Sequence, residues 1–452
     1  MNRREFIKTT GLGLAALTLP SCHSIATDVA PDSVGKPVTE PKKPNIIFIL
    51  SDDVGISDIS CTGGDHFKTP HIDGLAQGGT RFEYCYSTPL CGPSRCQLLT
   101  GRYPFRTGLI NNYSDNAIAP SREIMMPTVL KQAGYVTAQA GKWGQMALGP
   151  RAWGFDEFLG VKGSGKYWRD QVATYSHNGQ INDLPEGKYL PDIMHDFVID
   201  FINRNKDRPF YVYYAMVHVH GPIVRTPDSA PGSKDLYNDN IVYMDKLVGH
   251  LAQELERLHL REKTLIVFAG DNGTARFGID RATIGGRHIH GMKGTMLEGG
   301  SRVPLIVNWP GTTPAGLVNR DLTDFSDFFP TLAELGGAQL PASTVIDGES
   351  LAEQIKGRKG KPREWVYVEL NGNSYVRNDR YKLTNHGGLF DLRDAPFKEE
   401  PVSGDTTDAA AIAARKRLQA VLDQHPTAPG KAPPPGRQVR ARQRRQRQGG
   451  TP

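Results

Sequence analysis

Polar residues with metal-binding chemistry follow several apolar runs of this chain. Ser51-Asp52-Asp53 comes directly after one such run, and Asp271-Asn272-Gly273 comes after another. In parallel sheets, sites form beyond the carboxyl ends of the strands, so these two segments are expected to converge at one sheet edge. Their carboxylate and amide oxygens suit a hard divalent cation, Ca²⁺ or Mg²⁺, and not zinc. Each segment also has a plain alternative, because Asp-Asp is often a helix cap and Asp-Asn-Gly a turn.

A third apolar run ends just before His218 and His220. Both histidines are therefore expected at the same edge of the sheet as the two polar segments. For His218, the alternative is a hydrogen-bonded structural histidine near the end of a strand.

The most specific pattern lies between residues 91 and 102. It contains Cys91-Gly92-Pro93-Ser94-Arg95 and, after three further residues, Leu99-Thr100-Gly101-Arg102. In these residues the chain resembles the type I sulfatases, formylglycine-dependent enzymes related to alkaline phosphatase, whose signature is Cys-x-Pro-Ser-Arg-x-x-x-Leu-Thr-Gly-Arg. All eight fixed positions are present, which argues against Cys91 being only a buried or paired cysteine.

The resemblance extends over roughly residues 44–424 and implies a sulfuric-ester hydrolase with an alkaline phosphatase-like fold. The matching segments are the opening strand with its aspartates (44–53), a stretch before the nucleophile (68–76), two lysine loops (140–143 and 291–304), the histidine loop (220–222), the second metal segment (269–273), and the C-terminal ending (389–392 with 399–400).

This resemblance implies the chemistry of the site. A formylglycine-generating maturation enzyme would oxidise Cys91, and the aldehyde hydrate would carry two hydroxyls on one carbon. The first hydroxyl would attack sulfur with its pKa lowered by one Ca²⁺ per chain. The second would then lose its proton and expel sulfate. The implied metal ligands are Asp52, Asp53, Cys91, Asp271 and Asn272.

The resemblance also assigns the catalytic residues Cys91, Arg95, Lys142, His220 and Lys293. Arg95 would hold the hydrate oxygens, while Lys142 and Lys293 would balance the charge of the sulfate. His220 would protonate the departing alcohol. For Lys142, the alternative is a surface lysine resting on the neighbouring tryptophan ring.

One position departs from the family pattern. Many members have a histidine two residues after the loop lysine, whereas this chain has Lys142-Trp143-Gly144. That histidine is credited with assisting breakdown of the intermediate, so its replacement is open, with His218 and Gln145 as candidates. A separate glycine-rich loop carries basic residues that either contact anionic substrate groups or are solvated: Arg287, His288 and His290.

Three functions are compatible with these residues. The favoured one is hydrolysis of sulfate esters, with a sulfated saccharide as substrate because the sequence indicates an exported protein with cationic loops. The second is a formylglycine-dependent phosphodiesterase or phosphonate hydrolase. The third is an inactive, glycan-binding surface lipoprotein, which only Gly144 supports. Two lysines around a single cation fit sulfate better than a two-metal phosphatase, which needs more ligands.

Hydrophobic periodicity indicates the elements that position these residues. Continuous apolar runs at 45–50, 210–217, 264–269 and 303–308 predict strands buried on both faces. Helix-like segments at 128–133, 192–205 and 238–258 lie between them. Residues 44–344 are therefore predicted to form an α/β catalytic domain, a large mixed, mostly parallel sheet sandwiched by helices. Short alternating runs and a helix at 408–422 predict a smaller antiparallel sheet plus helix over 345–425.

Both ends of the chain differ in composition from a folded domain. Residues 1–22 contain the twin arginines Arg3-Arg4, an apolar run and the lipobox-like Leu19-Pro20-Ser21-Cys22. We expect export by the twin-arginine machinery to the periplasm or cell surface, with a lipid anchor on Cys22; cleavage without lipidation is the alternative. Residues 23–43 predict a flexible tether, and residues 426–452 a disordered basic tail.

Charge and cysteine content exclude two protein classes. The net charge of +6 depends on the ends of the chain, because residues 23–430 alone carry −3. Nucleic acid is therefore not an expected partner. Five cysteines in so long a chain do not indicate a disulfide scaffold. Cys85 can pair with Cys96 or Cys61, but we expect these three to be free thiols.

Overall fold

The structure is a computed structural model that describes residues 43–114, 117–144, 146–161 and 163–432. The predicted signal segment, nearly all of the tether, most of the basic tail and the candidate Gln145 lie outside the described residues. Cys22, the predicted lipid attachment point, lies outside them too.

The described residues form seventeen strands and ten helices. The strands are β1 (Asn45–Ser51), β2 (Thr80–Tyr86), β3 (Val136–Lys142), β4 (Glu157–Val161), β5 (Thr174–His177), β6 (Gln180–Asp183), β7 (Phe210–Ala215), β8 (Thr264–Gly270), β9 (Thr283–Ile284), β10 (Arg287–His288), β11 (Arg302–Asn308), β12 (Leu317–Asp324), β13 (Val366–Leu370), β14 (Asn373–Arg377), β15 (Tyr381–Thr384), β16 (Leu389–Asp391) and β17 (Glu400–Val402). The helices are α1 (Pro70–Gln77), α2 (Cys91–Thr100), α3 (Pro104–Thr107), α4 (Met126–Gln132), α5 (Leu190–Asn205), α6 (Leu236–Arg257), α7 (Glu298–Ser301), α8 (Phe328–Leu335), α9 (Ala352–Ile355) and α10 (Ala409–Gln424).

Ten strands form one mixed sheet in the order β12-β2-β11-β8-β1-β7-β3-β4-β5-β6. The central strands β8, β1, β7, β3 and β4 are parallel to one another. The strand β11 runs antiparallel to both β8 and β2, and the hairpin of β5 and β6 closes the opposite edge. The carboxyl ends of the five central strands therefore share one edge of the sheet.

Helices cover the large sheet on both faces. Because side chains alternate along a strand, Ile47 and Ile49 of β1 lie in one apolar cluster with residues of α1, α5 and α6. Ile46, Phe48 and Leu50 lie in a second cluster, with residues of α2, α4 and α8. Both faces of β1 are thus buried, which explains its unbroken apolar sequence.

The last five strands form a separate antiparallel sheet in the order β13-β14-β15-β16-β17. The helix α10 packs on this sheet through apolar residues spaced three or four apart, Ala411, Ala414, Leu418 and Leu422. This arrangement confirms the predicted C-terminal antiparallel sheet plus helix.

The chain continues along this sheet after α10. The amide of Ala428 donates to Glu369 Oε1 over 2.8 Å, and the amide of Lys431 donates to Asn371 Oδ1 over 2.8 Å. The Tyr113 hydroxyl donates to the Lys431 carbonyl over 2.7 Å. The boundary predicted at residue 425 therefore falls inside a hydrogen-bonded segment, because side-chain acceptors of the C-terminal sheet satisfy these backbone amides.

The fold class predicted from the sequence is confirmed. The four apolar runs correspond to β1, β7, β8 and β11, and the three predicted helix-like segments to α4, α5 and α6. Cys61, Cys85, Cys91 and Cys96 are free thiols. Within the described ranges, no helix is long and apolar enough to cross a membrane.

Candidate active site

The predicted metal-binding segments meet at the carboxyl edge of the large sheet. Ser51, the last residue of β1, pairs in register with Gly270, the last residue of β8. Asp52 and Asp53 therefore lie beside Asp271 and Asn272. The amide of Asp53 donates to Asp271 Oδ1 over 3.0 Å, and Asp53 has a left-handed backbone with φ of 65°. Non-glycine residues in this region are uncommon, and they concentrate at functional sites.

Glycines allow the loops of this edge to pack against each other. A β-carbon on Gly270 would lie 1.9 Å from the carbonyl oxygen of Val54, in the loop after β1. A β-carbon on Gly273 would lie 1.7 Å from the carbonyl oxygen of Gly299, in α7. Any larger residue at either position would push the loops apart and displace the aspartates between them.

The nucleophile candidate Cys91 is the first residue of α2 and is 1% exposed. At a helix N-terminus the free backbone N–H groups and the helix dipole favour negative charge on a nearby atom. Arg95 lies one turn later on the same face of α2, as expected for an i, i+4 pair. The side chain of Asn112 holds the start of the helix, since its amide donates to Cys91 Sγ over 3.4 Å and its oxygen accepts from the amide of Gly92 over 2.9 Å.

Each of the three aspartates is paired with a cationic side chain. Lys142 Nζ donates to both carboxylate oxygens of Asp52, at 2.7 and 2.8 Å. Arg95 donates to Asp271 Oδ2 from Nε at 3.0 Å and from Nη2 at 2.7 Å. Lys293 Nζ lies 2.5 Å from Asp53 Oδ1.

Burial and charge act on these carboxylates in opposite directions. Burial raises the pKa of Asp52, but Lys142 and other positive neighbours outweigh it, so the pKa is lowered overall. The pKa of Asp271 is raised, first by burial and then by the negative charge of Asp52, in spite of Arg95 and the two lysines. Repulsion between these two carboxylates therefore favours the binding of a cation between them.

The donor set fits a hard metal ion. Ligand atoms of Asp52, Cys91 and Asp271 all lie within 4.8 Å of one another. Asn272 Oδ1 is buried and has no hydrogen-bond partner among the described residues, while its amide donates to Asp53 Oδ1 over 3.0 Å. A buried amide oxygen without a donor is costly unless something else binds it. Together with carboxylate oxygens, it is a ligand suited to Ca²⁺ or Mg²⁺.

The imidazole of His220 faces this cluster from the loop after β7. Its Nδ1 bonds to the carbonyl oxygen of Gly221 over 2.7 Å, which orients the ring. Its Nε2 lies 3.8 Å from Asp53 Oδ2, and the side chain is 27% exposed. The structure thus brings together every residue assigned from the sequence: a nucleophile candidate, carboxylates, three cations and one partly accessible imidazole.

Comparison with known proteins identifies the group to which this chain is related. The sequence model of the Sulfatase family matches residues 44–338, and that of the N-sulphoglucosamine sulphohydrolase C-terminal region matches residues 286–422. The chain belongs to the sulfatase family. This sulfatase is a member of the alkaline phosphatase superfamily and a hydrolase of sulfate esters.

Several relatives of this sulfatase are similar over most of their length. Human arylsulfatase A is 34% identical over 397 residues, which cover 77% of this chain and 76% of the human protein. N-acetylgalactosamine-6-sulfatase of Canis lupus familiaris is 34% identical over 374 residues, 76% of this chain and 72% of that protein. The crystal structure of Ps i-CgsB in complex with k-i-k-neocarrahexaose has a TM-score of 0.75 at 27% identity, and covers 89% of this chain and 97% of that one.

The imidazole of His218 lies among aromatic side chains in this sulfatase, although its backbone carbonyl accepts a hydrogen bond from the amide of Asp52 over 2.7 Å. Its Nε2 bonds to the Tyr189 hydroxyl over 3.0 Å, and its ring packs against Tyr167 and Tyr243. Burial lowers the pKa of His218 to about 3. A fully buried imidazole that is so hard to protonate is a poor general base, so His218 is a structural residue of the aromatic core.

Gly144 occupies a position that excludes a larger side chain without rearrangement. Its φ is 94°, and a β-carbon there would lie 3.2 Å from Arg95 Cδ. A side chain at position 144 would therefore have to displace Arg95 or change the backbone conformation.

The basic loop residues also have local partners. Arg287 forms an exposed two-bond pair with Asp394 at 2.9 and 2.7 Å and lies over the Phe397 ring at 4.1 Å. The amide of His290 donates to the Pro396 carbonyl over 2.8 Å. These contacts connect the loop to the segment after β16 and leave His288 exposed on β10.

Two contributors to the site have no signal in the sequence. Asn112 supports the start of α2 from a loop twenty-one residues away. Asp58 is fully buried and accepts bonds from the amide of Gly55 at 2.8 Å and the hydroxyl of Thr274 at 2.7 Å, so it ties the loop after β1 to the loop after β8. Burial raises the pKa of Asp58 to about 7. A lone Asn or Asp in a loop could not be distinguished from a turn residue before the fold was known.

Proposed function

We propose that this sulfatase hydrolyses the sulfate esters of a sulfated saccharide, with formylglycine at position 91 as the nucleophile and one calcium ion in the carboxylate cluster. The observation that carries the proposal is the convergence of Asp52, Cys91 and Asp271 within 4.8 Å, with a cationic side chain on each carboxylate. A site that only bound a glycan would have no need for a buried thiol among paired charges.

The calcium ion would be held by Asp52, Asp53, Asp271 and Asn272 together with residue 91. When bound, it supplies a positive charge that lowers the pKa of the formylglycine hydrate and attracts the sulfate group. The buried Oδ1 of Asn272, which accepts no hydrogen bond from the described residues, supports this ligand set.

The remaining residues have separate roles in the proposal. Arg95, one helical turn from position 91, holds the nucleophilic side chain in place and neutralises charge around it. Lys142, at the end of β3, and Lys293, in the loop before α7, donate to the sulfate oxygens as negative charge develops there. His220 donates a proton from Nε2 to the departing alcohol, because its Nδ1 is engaged by the Gly221 carbonyl.

Two comparisons support a saccharide as substrate. One relative is an N-acetylgalactosamine-6-sulfatase, and one similar structure contains bound k-i-k-neocarrahexaose.

The proposal places the protein outside the cytoplasm after twin-arginine export and attaches it to the membrane through Cys22. Replacement of Cys22 by Ala should then move the protein from the membrane fraction to the periplasmic fraction. Recovery of the wild-type protein, with Cys22 intact, as a free periplasmic species would contradict the lipid anchor but would remain consistent with export.

Burial of Cys91 supports a particular order for the proposed maturation steps. At 1% exposure, the thiol is out of reach of another enzyme once the body has folded. In this proposal, conversion to formylglycine would precede folding, and folding would precede twin-arginine transport.

The proposal is tested with protein produced beside a formylglycine-generating enzyme. Peptide mass spectrometry should find an aldehyde at position 91, and an aryl sulfate should be turned over much faster than an aryl phosphodiester. The Cys91→Ala variant is the control and should fold without turnover. An unmodified thiol in fully active protein would refute the nucleophile, and faster phosphodiester cleavage would favour the alternative function.

A further inference from the structure

Phe277 is the most exposed aromatic side chain among the described residues, at 59%. It lies in the loop after β8, five residues beyond Asn272. An exposed aromatic ring far from any site needs no explanation, but one beside a catalytic cluster does.

The ring of Phe277 lies directly on the backbone next to His220. A β-carbon built on Gly221 would lie 2.1 Å from Phe277 Cε2 and 2.9 Å from Cζ, so a larger residue at position 221 would displace the ring from this position. The carbonyl of the same Gly221 accepts the bond from His220 Nδ1. Phe277 is thus separated from the proposed general acid by a single residue of the histidine loop.

The loop that carries Phe277 is held at both ends. The amide of Gly278 donates to the Ala275 carbonyl over 3.0 Å, and Gly278 is pressed against the Tyr237 ring, where a β-carbon would lie 2.5 Å from Cζ. On the other side, the amide of Lys293 donates to the Thr274 carbonyl over 3.0 Å. The ring therefore stands on a short anchored turn, and ordering it on ligand binding costs little.

We propose that Phe277 is a stacking platform for the ring that carries the leaving oxygen of the substrate; this inference rests on the proposed function. A proton donor must approach within about 3 Å of the leaving oxygen. His220 would donate from Nε2 while its Nδ1 is bonded to Gly221, so a leaving group large enough to extend past the imidazole toward Gly221 would meet the exposed ring of Phe277. A flat apolar face, such as the C–H face of a pyranose or an aryl ring, would cover the exposed phenyl group.

The test compares substrates that differ only in the leaving group: a sulfated pyranoside, an aryl sulfate and a short alkyl sulfate. For Phe277→Ala we expect kcat/KM to fall up to about tenfold on the two ring substrates, the size of one aromatic contact, and to change less than about twofold on the alkyl sulfate. Phe277→Leu keeps an apolar cover on Gly221 without a flat face and should show the same pattern, whereas Phe277→Trp should retain activity. Loss on only one ring substrate would still support the platform and would identify its ligand.

Two results would overturn the platform. Equal losses on all three substrates, with a displaced pH profile, would mean that Phe277 only positions His220; unchanged activity on all three would mean that the ring makes no contact. Ile412→Ala, which removes an exposed apolar side chain of α10, is the matched control and should be neutral. Failure of the wild-type protein to cleave any of the three sulfates would instead count against the proposed function, so a failure of the platform and a failure of the function give different results.

Discussion

Removal of the Lys142 ammonium group should destabilise the metal-free protein far more than removal of a surface cation. Lys142 and Asp52 are both 0% exposed, and Nζ contacts both carboxylate oxygens. In Lys142→Met the nearest remaining cation is Arg95. Its Nη2 lies 3.6 Å from Asp52 Oδ1 and is already paired with Asp271. Breaking one partner of a buried pair costs ~3–5 kcal/mol, and the residual contact with Arg95 places this variant near ~3 kcal/mol.

A surface pair provides the matched control. Arg204 contacts Glu157 and Asp200, and its side chain is 47% exposed. Because such pairs contribute ~0–1 kcal/mol, Arg204→Met should scarcely move the unfolding midpoint. The measurement is urea unfolding of both variants in excess chelator, followed by circular dichroism and by tryptophan fluorescence.

The double variant separates charge from packing. Asp52→Asn removes the charge that Lys142 compensates, so Lys142→Met combined with Asp52→Asn should recover much of the stability lost in Lys142→Met alone. The same Lys142→Met variant should lose about 100-fold in kcat or more, as when one charged donor to a transition state is removed. Equal midpoints for Lys142→Met and Arg204→Met, or additive losses in the double variant, would refute the claim that burial makes this pair important.

Three further outcomes follow from the structure. Chelation should lower both activity and the unfolding midpoint, and added calcium should restore both in the wild type but not in Asp271→Ala. Elemental analysis of active protein that found stoichiometric zinc would contradict the argument from oxygen ligands. Gly144→Ala should cost more stability and activity than Gly187→Ala, because both have positive φ but only at Gly144 does a β-carbon meet Arg95; equal unfolding midpoints would refute this contact. Burial raises the pKa of Glu369 to about 7. Between pH 4.5 and 7 the folded state therefore holds a proton that the unfolded state has released. The contribution of Glu369 to the free energy of unfolding should fall by ~3 kcal/mol over this range. Glu369→Gln should flatten this slope in thermal unfolding measured across that range, and an unchanged slope would exclude Glu369 as its source.

The sequence was most informative where one physical cause determined the residues. β1 is buried between two parallel neighbours, and its unbroken apolar run predicts that environment directly. The short strands β16 and β17 are only three residues long, and their assignment depends on pairing with β15 and with each other. Periodicity in so short a window carries almost no signal, so these strands appear only in the three-dimensional structure.

The residues of the candidate site also differ in how far the sequence predicts them. A signature with eight fixed positions locates Cys91 and Arg95, whereas nothing in the local sequence relates Asn112 to Cys91 or Asp58 to Thr274. Those contacts depend on how separate loops converge. Arg287 illustrates the converse, since a basic residue in a glycine-rich loop is equally compatible with a ligand contact and with the surface pair that it forms.

The pairing of charges links binding of metal and of substrate in the proposed site. Three carboxylates and three cations balance one another before anything is bound. A divalent cation on the carboxylates would compete with the same lysines and arginine, and a sulfate group would give these cations a new partner. Each ligand thus removes part of the charge imbalance that the other creates, and the coupling must be reciprocal. It follows that the apparent affinity for calcium should rise in the presence of a sulfated substrate analogue, and that loss of Lys142 should weaken this coupling.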